Sequence, residues 1–338
     1  MFDRTTWFGK LFGFEEESPE QVRDQLSFAD SKITSAVNSK SFGCGEFTIP
    51  TLRELREVTI QPQNESVLQV SEVVGNVQEL HQASSVAGAT FQVASQFNLL
   101  EMVGPSVPPE NGVGIYQHDM TQGPACAVAC GAATVYRNYF VPVGDQIGQT
   151  ESSQIDCLDE IGAALGNEDD RLWAMRNGYA LGSADGLTEI GDRIQKLSRS
   201  EISELEGALK IGVQTDAEVT LGERNHQVTQ VFCSATPVAY SHQTSALWEP
   251  FARLVLNASY EAAFRAAIIN SKRTGNWDFY LTLLGGGAFG NPTEWITDAI
   301  LRSLNQFRNY PLTVKLVSYG SSSPDVNWVL RKFNDEVV

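Results

Sequence analysis

The chain has 338 residues, 42% of them hydrophobic and 19% charged, the balance of a folded protein with one large domain or two ordinary ones rather than a mainly disordered chain. Its formal net charge of −17 and pI of about 4.6 argue against a protein that coats duplex nucleic acid, because such binding rests on Lys and Arg neutralising phosphates. A small anionic ligand held by backbone amides stays open.

No apolar stretch approaches the ~18 residues of a membrane-spanning helix. The N-terminus "MFDRTTWFGKLFGFEEESPE" has an early acid and no uninterrupted apolar core, so it does not read as a secretory signal. The cysteines (Cys44, Cys126, Cys130, Cys157, Cys233) are odd in number and form no CxxC pair, and the histidines are scattered without zinc-ligand spacing. These features predict a reduced, cytoplasmic protein with no metal site, no cofactor and no membrane partner.

In chain order, "SPEQVRDQLSFAD" predicts a helix with Ser18 as N-cap and Pro19 at its first position. "TLRELREVTI" predicts a second short helix, and residues 1–60 read as an N-terminal helical extension. "SVLQVSEVVG" alternates as a strand and opens a main domain over residues 61–338. "GATFQVASQFNLLEM" reads as a buried strand ending near Gln96-Phe97-Asn98. The Pro/Gly-rich "VGPSVPPENGVGIYQHDMTQGPA" that follows is long for a connection, and loops of such length are usually functional or disordered. "ACAVACGAATVYRNYF" reads as a helix of small residues able to press close to a sheet, with Cys126 and Cys130 on one buried face.

Residues 141–222 are less regular and read as an insertion or subdomain. They hold an acidic stretch ("GNEDDRLW"), a helix ("SRSEISELEGALK") and strand-like stretches at "GYALG" and "IGVQTDAEVTLG". Then the order is clean. "HQVTQVFCSATPVAY" is a strand, followed by a long amphipathic helix with apolar Phe251, Leu254, Val255, Ala258 and Ala262. "FYLTLLGGGAFG" is a strand entering a glycine loop, "TEWITDAILRSLNQF" a helix, and "LTVKLVSYG" a final strand. The alternation predicts an α/β sheet covered by helices on both faces.

The glycine loop is the most informative stretch. In open α/β sheets ligands sit at the carboxyl ends of strands, where residues 285–290 would lie. Glycines there allow positive φ and a close backbone approach, and the next helix adds unpaired N–H donors, so a diphosphate is the natural guest. No Gly-Lys-Ser/Thr follows, so it is not a Walker loop. A formal GxGxxG near the C-terminus, with Asn291-Pro292 next and no acid on a following strand, fits an NAD-type oxidoreductase poorly. The alternative is a tight strand-to-helix turn with no ligand.

"LTLLGGGAFGNPTEWITDAILRSL" with "LTVKLVSYG" resembles the last third of macrodomains and of the related poly(ADP-ribose) glycohydrolases, where a strand opens into a Gly-rich loop before a helix and a closing strand. "VLNASYEAAFRAAI" resembles the helix before that strand, and "FQVASQFNLLEM" the strand ending at an Asn that contacts the distal ribose. The resemblance covers roughly residues 85–140 and 226–320. It implies a three-layer α/β/α, macrodomain-like mixed sheet with an N-terminal extension and a central insertion. It also implies a ligand, ADP-ribose or a related nucleotide, with an ADP-ribosylated protein as a further partner. Asn98 would then contact the ribose. Met120 to Ala127, chiefly Thr121, Gln122 and Gly123, would cover the diphosphate from one side, and Gly285, Gly286, Gly287, Ala288, Phe289, Gly290 and Asn291 from the other, with Phe289 packing on the distal ribose. The chain departs from the family in lacking both the GGG run of that first loop and the paired glutamates of the glycohydrolases, having "QHDMTQGPA" instead.

Hydrolysis at the distal ribose needs a carboxylate that activates water or stabilises positive charge at the anomeric carbon. Glu101, His118 and Asp119 are the candidate catalytic groups. Each has a structural alternative: Asp119 as the cap of the "PACAVAC" helix, Glu101 in an ion pair with an Arg such as Arg137, His118 as a loop residue without chemistry, and Asn98 as a strand-end turn residue. Two functions follow: a hydrolase acting on an ADP-ribosyl linkage, or a non-catalytic module binding ADP-ribose or an NAD metabolite.

Overall fold

The computed structural model describes residues 5–59, 62, 67–222 and 226–335. A seven-stranded sheet runs through it. In chain order its strands are β1 (Glu46–Thr48), β2 (Gln69–Val74), β3 (Thr90–Ala94), β4 (Gly212–Glu218), β5 (Gln227–Cys233), β6 (Asp278–Leu281) and β7 (Thr313–Ser318). The spatial order is β1-β4-β5-β3-β6-β7-β2. Pairing is antiparallel from β1 through β4 to β5 and parallel from β5 through β3, β6 and β7 to β2, so the sheet is mixed.

Side chains alternate along these strands and reveal a helical layer on each face. Thr90 and Thr229 bond Asn270 of the long helix Ser245–Thr274 on one side. On the other, the next residues, Phe91 and Gln230, meet His81 and the carbonyl of Cys126. The fold is therefore three-layered, α/β/α. β3 and β5 carry buried residues at almost every position, as central strands covered on both faces do. The long helix differs from its amphipathic expectation. It is buried nearly all round, Ala-rich and pressed between the sheet and the helices Ala184–Lys196 and Thr293–Gln306.

Ser18 caps the helix Pro19–Gln25 by accepting the N–H of Gln21, as its sequence predicts. Two segments differ in content from the expectations. The N-terminal segment is not purely helical: after Gln25 the chain forms a small antiparallel sheet from Leu26–Ala29, Lys32–Ser35 and Ser41–Gly43, and then contributes β1 to the main sheet. The expected boundary at residues 60 and 61 lies outside the described residues. The irregular segment 141–222 likewise ends inside the sheet, because β4 is a full sheet strand between β1 and β5. Its short strands at Trp173–Arg176 and Tyr179–Gly182 form a separate hairpin. No helix among the described residues is long and apolar enough to cross a membrane.

Candidate functional site

β3 and β6 are parallel neighbours whose following segments leave to opposite faces, the arrangement that opens a crevice at the carboxyl ends of an α/β sheet. Their ladder runs only to Tyr280 opposite Phe91. Beyond it the side-chain amide of Gln122 takes the place of a strand: its Oε1 accepts the N–H of Ala94 at 2.8 Å and its Nε2 donates to the carbonyl of Gln92 at 2.7 Å. The helix Gln122–Ala129 is thereby seated on the end of β3. Gly123 makes this approach feasible, since a Cβ there would lie 1.9 Å from the Ala94 carbonyl oxygen.

The result is a cleft of about 230 Å³ between residues 94–103, the start of that helix and the glycine loop. The floor holds Glu101, with no solvent exposure of its side chain. Arg137 Nη2 lies 3.1 Å from both carboxylate oxygens, and its Nε donates to the Leu99 carbonyl while the guanidinium stacks 3.8 Å over Phe232. Burial pushes the Glu101 carboxyl up to about 7 against the pull of Arg137 and of Tyr116. Asp119 sits at the rim; its Oδ1 accepts the N–H of Thr121 at 2.9 Å, and its other oxygen has no partner among the described residues. Tyr179, Tyr240 and Phe289 form an aromatic wall with ring centroids 4.9 to 5.8 Å apart.

The glycine loop is locked from behind. Asn291 is buried, donates from its side chain to the carbonyls of Thr236 and Gly285, and donates its backbone N–H to Gly285 as well. Gly285 and Gly290 have positive φ, and a Cβ would fall 2.4 Å from Ala235 and 2.7 Å from Ala239 respectively. Gly287 has open space around it. The N–H groups of Gly285, Gly287, Ala288 and Phe289 donate to no other group among the described residues, and neither do those of Gln122 and Gly123 across the cleft. Two sets of free amide donors thus border one opening, a geometry suited to an anion.

The structure brings Glu101, Asp119, Thr121, Gln122 and Gly123 together with Gly285, Gly287, Ala288 and Phe289. It does not bring Asn98 or His118 there. Asn98 is fully buried, its Nδ2 donating to Gln154 Oε1 and its Oδ1 accepting the N–H of Leu100, which corrects the expectation of a ribose contact. The cause is a tight turn with Leu99 at φ 63°, closed by Gln96 N–H to the Leu100 carbonyl, which turns Asn98 inward and leaves Gln96 at the cleft. His118 is exposed, bonds its neighbour Gln117 and lies off the cleft, and Gly286, Gly290 and Asn291 support the loop instead of lining the opening. Gln122 lines the cleft, but its side-chain amide is committed to β3. Gln96, Tyr179 and Tyr240 are lining residues not singled out in the sequence; "GYALG" marked a strand but gave no sign that its Tyr reaches the cleft. Among the described residues no three His, Cys, Asp or Glu side chains are grouped to hold a metal.

No protein-family model matches the sequence, and comparison with curated proteins finds no similar sequence. Among solved structures, the chain is similar to the poly(ADP-ribose) glycohydrolase from Thermomonospora curvata, with TM-score 0.46 and 11% identity over 93% of this chain and 96% of that one. The same enzyme bound to the inhibitor ADP-HPD gives TM-score 0.45 and 12% identity over 93% and 96%. The poly(ADP-ribose) glycohydrolase from Deinococcus radiodurans in complex with ADP-ribose gives TM-score 0.45 and 10% identity over 86% and 94%.

Proposed function

We propose that the cleft binds ADP-ribose or an ADP-ribosyl derivative and hydrolyses an ADP-ribosyl linkage. The observation that carries this reading is the pair of facing backbone donor sets, Gln122 and Gly123 on one side and Gly285, Gly287, Ala288 and Phe289 on the other, with no acceptor among the described residues. A diphosphate placed between them receives amide hydrogen bonds from both sides and the positive end of the helix Gln122–Ala129. The ring wall of Tyr179, Tyr240 and Phe289 supplies an apolar face for the attached sugar or base.

The chemistry then falls to the two carboxyl groups. Asp119, with one oxygen fixed by Thr121 and the other uncommitted, stabilises positive charge at the anomeric carbon or activates water. Glu101, held near neutrality by burial, is suited to exchanging a proton at neutral pH. One observation favours the second reading, a binding module without turnover: both Glu101 oxygens are engaged by Arg137. The five described cysteines are all buried and unpaired, in keeping with a cytoplasmic location.

Thermal melting with ADP-ribose, followed by product analysis on an ADP-ribosylated substrate, tests the proposal. Ligand at about 100 times Kd adds about 2.7 kcal/mol of stability. Release of ADP-ribose that Asp119→Ala or Glu101→Gln abolishes, with binding kept, supports the hydrolase. Stabilisation without release supports the binding module. No stabilisation by ADP-ribose or any other adenine nucleotide defeats both.

A further inference from the structure

The charges around the cleft are distributed in a way that selects what the ADP-ribosyl group is attached to. Between Arg56 and Arg137 the chain has no Lys or Arg, and this stretch supplies β3, the residue 94–103 loop and the start of the helix Gln122–Ala129. None occurs in residues 225–252, which carry Ala235 and Tyr240, or in residues 274–301, which carry the glycine loop. The charged residues lining the cleft are Glu101 and Asp119.

Nearby cations are turned to other tasks. Arg137 is buried against Glu101. Arg253, behind the helix Thr293–Gln306, is bonded to Glu249 and Asp298. Arg176 precedes Tyr179 in its hairpin but lines a different hollow, beside Glu151 and Asp156. At the rim the lining residue Val103 is 59% exposed, and Met120, between the lining residues Asp119 and Thr121, is 64% exposed.

We propose that the cleft takes a single ADP-ribosyl group carried by a polypeptide, and discriminates against a polymer of ADP-ribosyl units and against ADP-ribosylated nucleic acid. This rests on the reading of the cleft as an ADP-ribosyl site. Backbone amides satisfy the one diphosphate that enters. Every further phosphate on the carrier stays outside, in the field of a chain with net charge −17 and with no Lys or Arg among the described residues that line the cleft. A polypeptide carrier brings no such charge and can lie against Val103.

The test is competition for a fluorescent ADP-ribose probe at about 50 mM and about 500 mM salt, which shorten the screening length from above ~10 Å to below ~5 Å. Competitors are an ADP-ribosyl peptide, a short ADP-ribose oligomer and a DNA oligonucleotide ADP-ribosylated at its end. Affinity is the readout, so the outcome does not depend on turnover. The peptide is expected to bind about tenfold more tightly than the oligomer or the DNA at low salt, and the gap to shrink to about twofold at high salt. Met120→Lys, outside the cleft lining, is expected to raise oligomer affinity several-fold at low salt and leave peptide affinity unchanged. Oligomer or DNA binding as tight as the peptide's at low salt, or a gap that salt does not alter, overturns the inference while the ADP-ribosyl reading stands. Failure of the probe to bind at either salt overturns that reading and the inference with it.

Discussion

Arg137 is the residue whose removal tests the site's electrostatics most directly. It is fully buried, holds both oxygens of Glu101 and the Leu99 carbonyl, and stacks on Phe232. Arg137→Met keeps much of the stacking volume but leaves the Glu101 carboxyl and the Leu99 carbonyl without their donor. Breaking a buried pair from one side costs about 3–5 kcal/mol, a large share of the about 5–15 kcal/mol that usually separates folded from unfolded states. Glu101→Gln keeps an oxygen facing the guanidinium and removes the buried negative charge, so it is expected to cost less. Equilibrium urea denaturation of the wild type, both single variants and the double variant closes a mutant cycle. The double variant is expected to be more stable than the sum of the singles by about 1–3 kcal/mol, because the Met no longer faces a carboxylate. A cost below about 1 kcal/mol for Arg137→Met, or additivity within about 0.5 kcal/mol, would refute the claim that this pair is buried and coupled. The same variants carry a pH signature. Because the folded Glu101 pKa is raised from 4.5 to about 7, the native state holds its proton more firmly than the unfolded chain does. The stability from this group is present below 4.5 and lost as pH rises to about 7, and Glu101→Gln should remove that slope.

Other outcomes follow from single contacts. Gly123→Ala places a methyl against the Ala94 carbonyl, so it is expected to cost about 1–3 kcal/mol in chemical denaturation and to abolish stabilisation by ADP-ribose; Gly287→Ala, in open space, should change stability by no more than about 0.5 kcal/mol. Glu16 accepts the N–H groups of Val113 and Gly114 and the Tyr139 hydroxyl, fixing the loop that leads to Asp119. Glu16→Gln should lower stability by about 1.5–3 kcal/mol and speed hydrogen exchange at those two amides; unchanged exchange would show that the contact does not hold the loop. His81 is fully buried, its Nδ1 on the Val77 carbonyl and its Nε2 facing Gln230, and burial holds its pKa down at about 4. The stability it contributes is present above 6.5 and lost as pH falls towards about 4, so the melting temperature of His81→Gln should depend less on pH across that window.

Much of the architecture was legible because its causes are local or periodic. Ser18-Pro19 starts a helix through capping geometry that needs no tertiary partner. The alternation of apolar strands with helices after residue 226 leaves a parallel sheet as the packing solution, and it placed the glycine loop at a strand's carboxyl end. The backbone freedom of Gly285 and Gly290 is likewise a property of the residue, although what makes it necessary is the nearness of Ala235 and Ala239.

The choices that define the site depended on partners distant in sequence. Asn98 and Gln96 are both strand-end amides, and only the left-handed turn at Leu99, a residue type that gives no warning of it, sends one inward and the other to the cleft. Whether Glu101 would face a ligand or pair with Arg137 was open in the sequence; the fold places it at the cleft floor and pairs it at once. Tyr179 and Tyr240 reach Phe289 from a separate hairpin and from the segment after β5, and β1 enters the sheet from a stretch that reads as helical. Local pattern specifies which face of an element is apolar and where the chain turns. Which of several chemically equivalent side chains meets solvent is set by contacts between segments tens to more than a hundred residues apart, and those exist only once the layers have packed.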